Sequence, residues 1–132
     1  MWKSASASAN VFLREVLLMS REIYDCAAGC PVQNTVDVIA GKWKSVILYH
    51  LFQGDATRFS TLNKAIPSIT ERMLALQLAQ LEADNIIVKR AGYADGRATE
   101  YQLTALGQTL APVIQAMAAW GEAYKVRRKA LA

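Results

Sequence analysis

A mainly helical α+β fold, with one β-hairpin set between helices, is what the sequence predicts. In most segments apolar residues recur every three or four positions, the period of a half-buried helix. One stretch, IIVKRAGYADGRATEYQLT, alternates instead and turns about Gly96, as a hairpin does. Gly41, Gly54 and Pro67 stand where one periodic segment stops and the next begins.

The elements follow in order. MWKSASASAN is low in complexity, and Met19 is a second candidate start. From Asn10, a capping residue, a helix carries Phe12, Val16, Met19 and Ile23 on one stripe, widened by Leu13 and Leu17. That much apolar surface needs a partner, in this domain or in a second subunit. A short helix follows, with Pro31 at its first position, Val32, Val36 and Ile39 on one face, and Gly41 closing it. A third helix places Trp43, Ile47 and Leu51 at i, i+4, i+8. DATRF reads as a turn with at most one strand pairing. STLNKAIP is a short helix carrying Leu62 and Ile66 and stopped by Pro67.

The clearest helix is SITERMLALQLAQLEADN. Ser68 or Thr70 caps it, Glu71 suits its positive end, and Leu74, Leu78 and Leu81 mark the inner face. After the hairpin, Thr104 caps a long final helix. Leu106, Leu110, Val113, Met117, Trp120 and Tyr124 step along it by 4, 3, 4, 3, 4, which is a seam at heptad spacing. Pro112 should bend it between Gln108 and Pro112, and its end, KVRRKALA, is basic.

Composition narrows the class. A chain of 132 residues suggests one domain, and 53% hydrophobic residues supply a core. Residues 1–25 read as an N-terminal extension and helix, and 26–132 as the folded domain. The formal charge of +4, from 15 Lys and Arg against 11 Asp and Glu, is mild and by itself decides little. Two cysteines do not make a disulfide scaffold. No secretory leader and no run of about 18 apolar residues is evident, so the expected compartment is the cytoplasm and no membrane span is expected. No Ser-His-Asp set, paired carboxylates or glycine-rich phosphate loop appears, so neither an enzyme nor a bound cofactor is expected. His50, the one histidine, sits among Trp43, Ile47 and Leu51 and reads as structural.

Two helices joined by IPSIT and followed at once by a hairpin have the layout of a winged helix-turn-helix. The first helix braces the backbone, and the second offers its outer face to a major groove. The hairpin reaches the neighbouring backbone or minor groove. The final seam would pair two subunits and so set half-site spacing.

The residues then carry a resemblance. CPV…T.D.I.GKW…IL..L..G..RF..L…IP.I..RML, followed by L..LE.D.I..R and EY.LT.LG..L.PV...M..WG, is similar to the HxlR family of bacterial transcriptional regulators, from Cys30 to about Gly121. The resemblance implies a homodimeric winged-helix protein on double-stranded DNA with a near-palindromic operator, usually a repressor and sometimes an activator. It implies Ser68, Thr70, Arg72, Met73, Leu76, Gln77 and Gln80 as DNA-binding residues, with Arg72, Gln77 and Gln80 the main polar readers. Arg72, Leu76, Ala79 and Gln80 point outward, with Thr70, Met73 and Gln77 on the flanks. Where relatives carry hydrogen-bonding groups, this chain has Ala75 and Leu76, which suit a thymine methyl. Arg97 at the wing tip is an implied backbone or minor-groove contact. Arg58, Lys64 and Lys44 are candidate phosphate contacts. Phe12, Val16, Met19, Ile23, Leu110, Val113, Met117, Trp120 and Tyr124 are the candidate dimer surface.

Cys26 and Cys30 flank the sequence AAG just before Pro31. Zinc takes about four ligands, and two cysteines with one distant histidine do not supply them. A nucleophile needs a nearby base, and none is evident. With Pro31 at the first helical position, Cys30 falls at the N-cap, where the helix dipole and free N–H groups favour a thiolate. Several members of the family it resembles use a cysteine at this place to sense oxidants, quinones or aldehydes. Cys30 is therefore either such a sensor, with Cys26 as resolving thiol, or a small capping residue. The alternative for the whole chain is a winged-helix module that binds protein through the apolar outer face formed by Leu76, Ala75 and Ala79.

Overall fold

The computed structural model describes residues 30–54, 56–91 and 99–131. They fall in two compact units divided between Ala40 and Gly41, and each is taken by itself.

The first unit contributes helix α1, Cys30–Ile39. Its exposed face is tied by Gln33 Nε2 donating to Asp37 Oδ1 at 2.8 Å and by Thr35 Oγ1 donating to the Pro31 carbonyl at 3.3 Å. Gly41, at φ 104°, takes the left-handed conformation that ends a helix at little cost to glycine alone. That is the stop expected of it.

The second unit runs α2 (Lys44–Leu51), β1 (Thr57–Arg58), α3 (Phe59–Ala65), α4 (Glu71–Ala83), β2 (Ile87–Ala91), β3 (Thr99–Leu103), α5 (Ala105–Gln108) and α6 (Ala111–Leu131). This is the mainly helical winged helix-turn-helix that the sequence predicts. DATRF does make one short pairing, and it makes the sheet three-stranded. The antiparallel order is β1-β3-β2, with Thr57 opposite Tyr101 and Lys89 opposite Tyr101 from the other side.

The core is built from period-3.6 positions of three helices and period-2 positions of the sheet. Ile47, Leu48 and Leu51 of α2 are buried with Leu62 and Ile66 of α3 and Leu74, Leu78 and Leu81 of α4. Ile87 and Tyr101 are buried from the sheet. Burial and the nearby Glu82 carboxylate both push the Tyr101 phenol above its usual pKa, so it stays neutral in the core.

Two closures fix the wing to the helix before it. At the end of α4, the Ile86 N–H donates to the Leu81 carbonyl at 3.0 Å and the Asn85 N–H to the Glu82 carbonyl at 2.9 Å. Asn85 has φ 61°. This is a Schellman motif with asparagine in the left-handed position, and Ile86 and Leu81, both buried, provide its hydrophobic contact. At the far end of β3, Thr104 Oγ1 donates to the Asn85 carbonyl at 2.6 Å and accepts from the Gly107 N–H at 2.9 Å. One hydroxyl thereby caps α5 and holds it to the entry of β2. Gly107 is buried there so closely that a methyl built on it would overlap the Ile86 carbonyl oxygen.

The expected long final helix is two helices. Thr104 caps only α5, and the chain turns at Thr109 and Leu110 before α6 begins. The break falls inside the stretch assigned to Pro112. A continuous helix would need a proline N–H to reach Gln108 and would press the ring against that carbonyl. Starting the second helix at Ala111 puts Pro112 in a first turn, where no N–H is needed.

Candidate nucleic-acid interface

α3, the turn through Ile66–Thr70 and α4 form the helix-turn-helix. Ser68 in that turn sits at φ 71°, a left-handed conformation that costs a non-glycine residue about 1 kcal/mol. The strained turn lets α4 leave α3 within a few residues. Of the two capping candidates, Thr70 caps α4: its Oγ1 accepts from the Met73 N–H at 3.1 Å.

Burying Leu74, Leu78 and Leu81 turns the opposite face of α4 outward. Arg72, Ala75, Leu76 and Ala79 are exposed, and Leu76 keeps 46% of its surface in solvent. Gln77 and Gln80 are half-buried on the flanks. Gln77 Nε2 lies 3.4 Å from Met73 Sδ, a weak contact that points the amide along the helix and leaves its oxygen to accept. Arg72 is the exposed polar group of this face, and Ala75 and Leu76, which lie between it and Ala79, make its centre apolar.

Around this face lie cations. Lys64 on α3 is exposed, as are Lys89 and Arg90 on β2. The two wing-strand cations were not among the residues singled out in sequence. Alternation within the hairpin was the available signal. Arg58 is exposed, but its Nε lies 3.8 Å from Glu100 Oε1, so it is already paired. Lys44 departs from expectation. It opens α2 and is only 7% exposed, so most of its side chain is packed away rather than held out towards a phosphate. A lysine stem is apolar enough to be packed away, which its charge conceals in a sequence. Arg97, Cys26, Phe12, Val16, Met19, Ile23 and the side chain of Cys30 lie outside the described residues.

The final seam divides into two parts. Ile114 is the buried residue of α6, 3% exposed, and it was not among the seam positions. Leu110 and Val113 are half-buried, while Met117, Trp120 and Tyr124 are exposed. Trp120 and Tyr124 stack at 5.1 Å, with the Arg128 guanidinium 6.0 Å from the Tyr124 ring. Beside this ladder an apolar groove of about 350 Å³ runs between α2 and α6, lined by Val46, Tyr49, Ile114, Met117, Ala118 and Gly121 among others.

An exposed second helix, a charged hairpin beside it and an uncovered terminal helix are features of DNA-binding regulators. Residues 38–129 match the model of the HxlR-like helix-turn-helix family. The chain belongs to that family. It is 50% identical over 99 residues to the uncharacterized HTH-type transcriptional regulator YdeP of Bacillus subtilis (strain 168), covering 75% of this chain and 77% of YdeP. The redox regulator HypR in its reduced form has a similar structure, with TM-score 0.68 and 42% identity over 76% of this chain and 98% of HypR. The reduced form of the transcriptional regulator YodB from B. subtilis is also similar, with TM-score 0.60 and 30% identity over 70% of this chain and 91% of YodB. Family and fold together make the chain a helix-turn-helix transcriptional regulator.

Proposed function

We propose that this HxlR-like regulator binds a near-palindromic double-stranded DNA operator as a homodimer in the cytoplasm, acting as a repressor. The observation that carries the reading is the outer face of α4. A helix whose leucines are buried on one side presents Arg72, Ala75 and Leu76, flanked by the half-buried Gln77 and Gln80, on the other, with cations on α3 and β2 nearby. Arg72 supplies the bidentate donor for a guanine, Gln77 and Gln80 serve an adenine, and Leu76 or Ala75 meets a thymine methyl. Lys64, Arg58 and Arg97 hold the backbone, together with Ser68 and Thr70 at the head of the helix, where Met73 offers an apolar contact. Leu110, Val113, Met117, Trp120 and Tyr124, with Phe12, Val16, Met19 and Ile23, form the subunit contact.

Within that function Cys30 acts as a thiol sensor. A quinone or aldehyde adds to its thiolate. A peroxide instead transfers one oxygen to it, giving a sulfenic acid, and Cys26 then displaces water to close a disulfide. The similarity to HypR, a redox regulator, supports this reading.

Fluorescence anisotropy with DNA from upstream of the gene tests both levels. Wild type should bind with an affinity that falls steeply with salt, and Arg72→Ala and Gln77→Ala should each cost about tenfold. Absence of binding at low salt, or indifference to both substitutions, would favour the second reading, a protein-binding winged helix using the exposed Leu76. For the sensor, a quinone or peroxide should change wild-type binding and leave Cys30→Ser unaffected. An unchanged response in Cys30→Ser would refute it.

A further inference from the structure

One row of charges on the sheet was assigned no role as a unit. Glu100, on the central strand β3, stands directly opposite Arg58 on β1 and directly opposite Arg90 on β2. Residues opposite one another in antiparallel strands put their side chains on the same face. The neighbouring positions Tyr101 and Ile87 are buried, so the Arg58–Glu100–Arg90 row lies on the outer face, where Arg58, Arg90 and Val88 are exposed. Arg58 Nε is 3.8 Å from Glu100 Oε1.

Water reaches the Arg58 end of this pair, whose side chain is 48% exposed against 20% for Glu100, and ordering two long side chains costs entropy, so the pair adds little to stability. Its cost to DNA binding is plainer. A carboxylate between two arginines repels phosphate and occupies the guanidinium that would otherwise meet it. We infer that Glu100 is a specificity-determining residue, which holds Arg58 and Arg90 in check and so limits binding to DNA of arbitrary sequence. A bound operator, whose base contacts fix the register, brings a phosphate close enough to take an arginine from Glu100. Arbitrary DNA lacks those contacts and gains less from the row. This inference rests on the DNA-binding reading above.

Backbone binding needs no operator, so the test uses a labelled duplex of arbitrary sequence at about 50 to 200 mM salt. Glu100→Gln should bind it about threefold more tightly than wild type, with the slope of log K against log salt steeper by about 0.9, one added phosphate contact. In an Arg58→Gln/Arg90→Gln background the same substitution should leave the slope unchanged, because no arginine is there to be released. Glu100→Gln should melt with wild type. Weaker or unchanged binding by Glu100→Gln overturns the inference, as does equal steepening in both backgrounds or a lowered melting temperature. In each of those cases wild type still binds DNA and the functional reading stands. A wild type that binds no duplex at low salt defeats both.

Discussion

The wing assembly and the terminal helix use similar residues to opposite ends. From α4 to α5, the polar groups at the element ends close on partners of the same chain: Thr70 on Met73, Asn85 in a Schellman turn, Thr104 on both Asn85 and Gly107. The apolar stripe of α4 is fully covered. α6 is longer and carries as regular a stripe, yet Ile114 is its buried residue, and Trp120 stays 69% exposed. Periodicity reports that a face is apolar and is silent on which molecule covers it. A covered stripe marks internal architecture, and an uncovered one beside a groove marks assembly.

Two glycines make the contrast testable. Gly107 is pressed against the Ile86 carbonyl, whereas a methyl on Gly121 would meet nothing within 4 Å. Gly107→Ala should therefore cost at least about 3 kcal/mol, the upper end of the usual range for overpacking, read as a large drop in melting temperature. A variant melting within a degree or two of wild type would show that α5 can shift aside. Ile114→Ala should cost about 3 kcal/mol, since a buried isoleucine leaves a cavity. Protection of α6 amides from hydrogen exchange should fall with it, while α4 stays protected. Equal loss in both helices would mean that α6 is not separable from the wing assembly. Gly121→Ala should have the smallest effect and the opposite sign. By helix propensity it should stabilise the subunit by about 1 kcal/mol. If the partner's helix approaches α6 closely at this point, the same methyl should raise the dimer dissociation constant measured by sedimentation. Tighter dimers would place the crossing elsewhere.

The elements were largely legible because their signals are local. The two hairpin strands alternate, α4 carries its leucines and a threonine cap, and Pro112 marks a break that the chain does make. What escaped depends on residues distant in sequence. Lys44 reads as a surface cation until its burial is known. Ile114 stands one position from the heptad seam and is outvoted by it. Glu100 looks like any strand carboxylate until register sets it between two arginines. On α4 the outward face followed from the leucine spacing, but the tie between Gln77 and Met73 did not.

The turn at Thr109 and Leu110 has a consequence for the DNA itself. It sets the direction in which α6 leaves the wing assembly, and in a homodimer joined through α6 that direction fixes how far apart two recognition helices stand. Paired helix-turn-helix units read half-sites about 34–36 Å apart, or multiples of this. If the chain pairs through α6 as proposed, the break works as a ruler. Adding one residue to the first turn of α6 rotates everything beyond it by about 100°, the angle per residue of a helix. Such an insertion should leave each subunit folded and able to hold a single half-site, and should shift the preferred spacing in a selection from randomised operators.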